Sequence, residues 1–179
     1  MFPSSTIRFI ESEVALLKES AGSVDGLVDG IYARVKSLEY GIEEALEDIE
    51  HFRFPNTIKK QANCAEAAVF VYLLAKYAGL NPNIMRIVNI ENRGADHLSV
   101  IVPHPMHNDG YMAIDPFYNM KGSIEFFPDH LEVEGRIIDN SDPDCIVSEF
   151  KSYSFSELEF LTEEELLEHI MQLNSFDNF

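Results

Sequence analysis

Apolar residues recur at helical spacing twice in the first fifty positions: Ile7, Ile10, Val14 and Leu17, then Leu27, Ile31, Val35, Leu38, Ile42, Leu46 and Ile49. Steps of three and four put each set on one stripe of an α-helix. The pattern therefore predicts helices over 5–20 and 24–50, with Gly41 able to split the second. The period stops in "HFRFPNTIKKQ" (51–61), where Pro55 and Asn56 mark a loop. Beyond it, "NCAEAAVFVYLLAKYAG" supplies Asn63 as an N-cap, a run of Ala, Leu and Val, and Gly79 as a stop, which predicts a helix beginning at Cys64.

The period then changes to that of strands. Three runs rich in β-branched residues follow, "IMRIVNIE" (84–91), "HLSVIVP" (97–103) and "YMAID" (111–115). Asp109-Gly110 between the last two is a hairpin signal. Further strands are expected near 123–127, 132–138 and 145–151. A closing helix follows at 163–174, headed by the Thr162/Glu165 capping box and turning Leu166, Leu167 and Ile170 inward. Helices first and an antiparallel sheet after define an α+β chain. Its 179 residues suit one domain, 1–179, with the core of that domain at 31–120.

Alternation assigns faces. His97, Ser99 and Ile101 share one side with Tyr111, Ala113 and Asp115, while Leu98, Val100, Val102, Met112 and Ile114 share the other. Because Ser99 and Ala113 are small, the Cys64 helix is expected against the first face. The apolar second face is left to the N- or C-terminal helices.

Charge narrows the partners. The net charge is −18; residues 11–50 carry 11 acids and 3 bases, 122–179 carry 15 and 2, and 51–121 carry 5 and 7. Such acidic flanks repel phosphate backbones and anionic lipid, arguing against nucleic acid and membranes and favouring cationic or neutral peptide-like partners. No run approaches the roughly 18 apolar residues of a membrane helix. Arg8, Glu11 and Glu13 interrupt any signal-peptide core. The reading is a cytoplasmic protein. Cys64 and Cys145 form no CxxC or dense framework, so both read as free thiols. His104 and His107 in "PHPMHNDG" read as part of a turn, so neither metal nor organic cofactor is implied.

Three residues carry candidate chemistry. Taken alone, Cys64 would be a small core residue, His97 a strand-edge histidine and Asp115 a turn former before Pro116. Together they supply a thiol at a helix start, a base to take its proton, and a carboxylate to orient that base. The free N–H groups of a helix N-terminus favour a thiolate and can hold an oxyanion. Glu66 is most simply an acid favoured in a first helical turn, and secondarily a support of the site.

"IYARVKSLEYG", "NCAEAAVFVYLLAKYAGLNPNIMRIVNI", "DHLSVIV" and "YMAIDPF", spanning Ile31 to Phe117, resemble the transglutaminase-like superfamily of papain-type cysteine enzymes. The resemblance implies a papain/transglutaminase-like fold in which Cys64 is the nucleophile, His97 the general base and acid, and Asp115 the orienting carboxylate. It further implies acyl transfer at an amide or peptide-like carbonyl through a thioester. The chain departs from the family at Asn63, Ser99 and Phe117. It also has no Trp, so an oxyanion donor that Trp supplies in relatives would come from Gln61, Tyr40 or the Cys64 N–H, with Asn63 and Glu66 in support. Hydrolysis is preferred to transamidation, since water needs no second binding site. The alternative is a catalytically silent relative that binds a peptide or protein in the same cleft.

Overall fold

The computed structural model describes the backbone of residues 1–40, 52–92, 96–105, 110–139 and 142–173. Side chains are described for all of these except 40, 92, 135–139, 142–149 and 173. Helix α1 (Ser4–Ser20) buries Thr6, Ile10 and Val14. Helix α2 (Val24–Lys36) is capped by Ser23, whose hydroxyl accepts the Gly26 N–H, and buries Leu27, Val28, Ile31 and Val35. These are the stripes that the period marks.

Helix α2 stops well short of residue 50. Leu38 carries the stripe into the core, but Glu39–Tyr40 (β1) leaves the helix to pair in parallel with Gln61–Ala62 (β2). The Glu39 N–H donates to Lys60 O at 3.0 Å. A two-residue strand whose partner lies far along the chain leaves no mark on local periodicity, so tertiary pairing overrides the helical pattern. The rest of that predicted helix, 41–50, and the Asp109 half of the hairpin turn lie outside the described residues.

Helix α3 (Cys64–Ala78) is buried at every position from Ala65 to Ala75. A helix buried on every side, with Glu66 its one buried charge, belongs in the middle of a fold, and α3 packs between α1 and α2 on one side and the sheet on the other. Gly79 ends it in the left-handed region at φ 90°, sending its N–H back to Ala75 and Lys76 carbonyls. A Cβ at Gly79 would meet nothing within 4 Å, so only backbone strain opposes a side chain there. Gly79→Ala is expected to cost about 1 kcal/mol in chemical denaturation, with thiol reactivity unchanged; an unaltered denaturation midpoint would contradict the strained cap.

The main sheet comprises β3 (Asn83–Val88), β4 (His97–Pro103), β5 (Tyr111–Asp115), β6 (Met120–Phe126), β7 (His130–Asp139), β8 (Asp142–Ser154) and β9 (Glu157–Leu161). Its order is β8-β7-β6-β5-β4-β3-β9, antiparallel at every pairing. Helix α4 (Glu163–Leu173) closes the described chain. In its capping box Glu165 accepts the Thr162 N–H at 2.7 Å, and Leu166 and Ile170 are buried. The α+β class is as the pattern predicts. Strand β9 is not: "ELEFL" is short and charged, and it becomes a strand only because β3 offers an edge.

The two edge strands, β8 and β9, are joined by Phe155 and Ser156 alone. Seven strands laid flat would separate those edges by about 29 Å, whereas the link reaches at most about 11 Å. The sheet must therefore curl back on itself. Phe126 of β6 and Phe160 of β9 accordingly meet edge to face at 5.8 Å, and Ser156 N–H donates to Val88 O at 3.0 Å. Inside the curl lies a second core containing Met85, Ile87, Ile101, Ala113, Met120, Ile124, Leu131, Val133 and Tyr153. Helix α3 packs on the outer face with Ile84, Leu98, Val100, Val102 and Ile114.

This reverses the expected faces. His97, Ser99, Ala113 and Asp115 lie on the inner side with Ile101, and the bulky apolar side covers α3. The physical reason is polarity: a helix buried nearly all round needs an apolar surface, and on β4 and β5 that is the Leu98/Val100/Val102/Ile114 side, because the other carries His97, Ser99 and Asp115. Among the described residues, no helix is long and apolar enough to cross a membrane.

Candidate active site

Each residue of the candidate site owes its place to an element end. Cys64 is the first residue of α3, after an N-cap in which Asn63 Oδ1 accepts the Glu66 N–H at 2.9 Å. His97 opens β4 and Asp115 closes β5. The ladder pairs Val100 with Ile114 and Ile101 with Ala113. Extending it sets Ser99 opposite Asp115 and His97 on the diagonal, within reach on one face.

His97 Nε2 and Asp115 Oδ2 are hydrogen-bonded, and each side chain is 4% exposed. Asp115 Oδ1 accepts the N–H groups of Phe117 (3.0 Å) and Tyr118 (3.1 Å), so Pro116 starts a turn that also fixes the carboxylate. The Tyr118 ring packs on the His97 ring at 4.2 Å between centroids. Tyr118 is in turn held by Tyr153, whose hydroxyl donates to Tyr118 O at 2.7 Å. The half-buried Cys64 thiol interacts with the His97 ring by hydrogen bonding and charge, both favouring the imidazolium. With Nε2 taken by Asp115, Nδ1 is the nitrogen open to the thiol.

The electrostatics follow from burial and pairing. Burial opposes a charge on His97, but the attraction of Asp115, its hydrogen bond and the smaller effect of Cys64 overcome it, pushing the imidazole from 6.5 up to about 10. Burial likewise opposes the Asp115 charge. His97, the Tyr118 N–H and the nearby Ser99 hydroxyl outweigh it, and the carboxyl is held below its ordinary range. Ser99 Oγ is buried without a hydrogen-bond partner of normal geometry among the described residues. From α2, Tyr32 is raised by burial and then by the Asp115 charge, while Lys36 Nζ donates to Pro116 O at 2.7 Å and ties that helix to the turn.

The other sequence candidates fall into two groups. Asn63 and Glu66 form the capping box, and Glu66, 1% exposed, also takes a bidentate salt bridge from Arg53. Gln61 enters through its carbonyl, which accepts Arg53 Nη2 at 2.8 Å. Tyr40 is brought beside Ala62 by the β1–β2 pairing, and its side chain lies outside the described residues. Helix geometry leaves the Cys64 and Ala65 N–H groups without intrahelical acceptors. Sequence reasoning missed Arg53 and Tyr118. A basic residue in an acidic chain and an aromatic three residues past Asp115 are their only marks. Among the described residues no group of His, Cys, Asp and Glu side chains is arranged to hold a metal ion. No known protein family, curated protein or solved structure matches the chain.

Proposed function

We propose that this protein is a transglutaminase-like cysteine enzyme that transfers the acyl group of an amide or peptide-like carbonyl, to water in preference to an amine. One observation supports the reading above others: a buried His97–Asp115 pair meets a half-buried thiol at a helix N-terminus. With its proton held by His97, Cys64 Sγ attacks the carbonyl carbon, and the Cys64 and Ala65 N–H groups receive the developing oxyanion. Forming the C–S bond consumes the thiolate charge that favoured the imidazolium, so His97 becomes more acidic as the leaving nitrogen needs a proton. His97 gives up that proton, the C–N bond breaks and a thioester remains. Water then loses a proton to His97 and attacks the thioester; the C–S bond breaks, releasing acid and restoring the thiolate. A peptide or protein substrate of neutral or cationic character suits the acidic surface, and a reducing cytoplasm would keep the thiol available.

Incubation with an activated ester, followed by peptide mass spectrometry, tests this. The expected result is an acyl adduct on Cys64 that decays in buffer no faster when a primary amine is added. Acceleration by amine makes the protein a transferase. No adduct, with Cys64 and Cys145 alkylated by iodoacetamide at equal rates, leaves a catalytically silent binding module.

A further inference from the structure

We propose that Arg53, acting through Glu66, is the positioning residue of the Cys64 site. The inference rests on the acyl-transfer reading. A helix start needs only its cap, and Asn63 already supplies one. In an ordinary capping box the acidic partner faces solvent, whereas the Glu66 carboxylate is buried. There it accepts Arg53 N–H (3.0 Å), Nε (2.9 Å), Nη2 (2.9 Å) and the Asn63 N–H (3.0 Å). The same Nη2 donates to Gln61 O at 2.8 Å.

One guanidinium thus holds the chain on both sides of Ala62, at the carbonyl of 61 directly and at the N–H of 63 through the carboxylate. The next peptide N–H is that of Cys64, the donor assigned to the oxyanion. Arg53 itself sits on an anchored segment. Phe52 and Phe54 pack edge to face at 5.4 Å, Phe54 meets Phe2 at 6.2 Å, and Thr6 Oγ1 donates to Asn56 Oδ1 at 2.6 Å. The clamp therefore runs from α1 to the first peptide of α3. Planar, forked donors make this an arginine task, since a lysine ammonium serves one direction at a time.

The test compares the full-length Arg53→Lys and Glu66→Gln variants with wild type, and with His97→Asn. The readout is the iodoacetamide rate at Cys64, followed by peptide mass spectrometry at pH 7, well below each variant's unfolding midpoint. Cys145 serves as the internal reference. Both clamp variants are expected to react about tenfold or more slowly at Cys64, because small misplacements of a reacting group are costly. Cys145 should be unchanged, and the double variant should lose little beyond either single one, as partners in one unit do. Folded clamp variants that keep the wild-type Cys64 rate and only unfold earlier would overturn the inference, leaving the proposed function standing. His97→Asn without effect on Cys64 overturns the proposed function and this inference with it. Where a single variant does not fold, Arg53→Gln combined with Glu66→Gln removes both charges together and carries the same readout.

Discussion

Cys64→Ser is expected to abolish the proposed acyl transfer, by on the order of 10⁴-fold or more, and to end modification by electrophiles at this position. The hydroxyl is far less acidic than the thiol, so His97 cannot hold its proton away and no competent nucleophile forms. The fold should hardly notice. Cys64 is half-buried at the first position of α3, where the cap is made by Asn63 and Glu66, and the change is close to isosteric. Stability should move by less than about 1 kcal/mol in calorimetry. A variant that retains acyl transfer, or that loses cooperative unfolding, would show that the residue is not the nucleophile or is chiefly structural.

The second large effect is expected at Asp115. Asp115→Asn keeps an oxygen for the Phe117 and Tyr118 N–H groups but presents an amide to His97 in place of a carboxylate. Alkylation of Cys64 at pH 7 should slow at least tenfold, roughly, because the charge that holds His97 as imidazolium is gone. Read from sequence alone, the change would cost little stability. Burial alters that expectation: the pair is almost wholly enclosed, and breaking it should cost about 1–3 kcal/mol in urea denaturation.

The pH dependence has a definite sign. His97, raised to about 10 from 6.5, contributes stability that is complete below about 6.5 and is lost as pH rises towards 10. Asp115, lowered from 3.8, contributes stability that is present above that value and lost as pH falls beneath it. Wild-type stability from the pair should therefore be greatest between these limits, and both limbs should flatten in Asp115→Asn. Identical pH profiles for the two proteins would show that the pair does not govern stability.

Much of this was legible along the chain. The i, i+3, i+4 stripes of α1 and α2, the Gly79 stop, the Thr162/Glu165 cap and the alternation in 97–103 and 111–115 are local patterns, set by side-chain direction and capping within a single element. That alternation is enough to put His97 and Asp115 on one face, and the Asn63 cap is enough to put Cys64 at a helix start. The limits were equally physical. The strand β1 and the edge strand β9 exist because of partners distant in sequence. Arg53 reaches Glu66 from a loop with no period of its own.

The sequence by itself determined the class, the three chemical groups and those elements whose pattern is local, because propensity, capping and alternation act between near neighbours. Only the tertiary structure decided which face of the sheet α3 covers, since that choice weighs two whole faces against each other. It alone curled the sheet, through a two-residue link between opposite edges. By burying His97 and Asp115 together, it turned an ordinary imidazole and carboxyl into a charged pair held in low dielectric, where pairing outweighs desolvation.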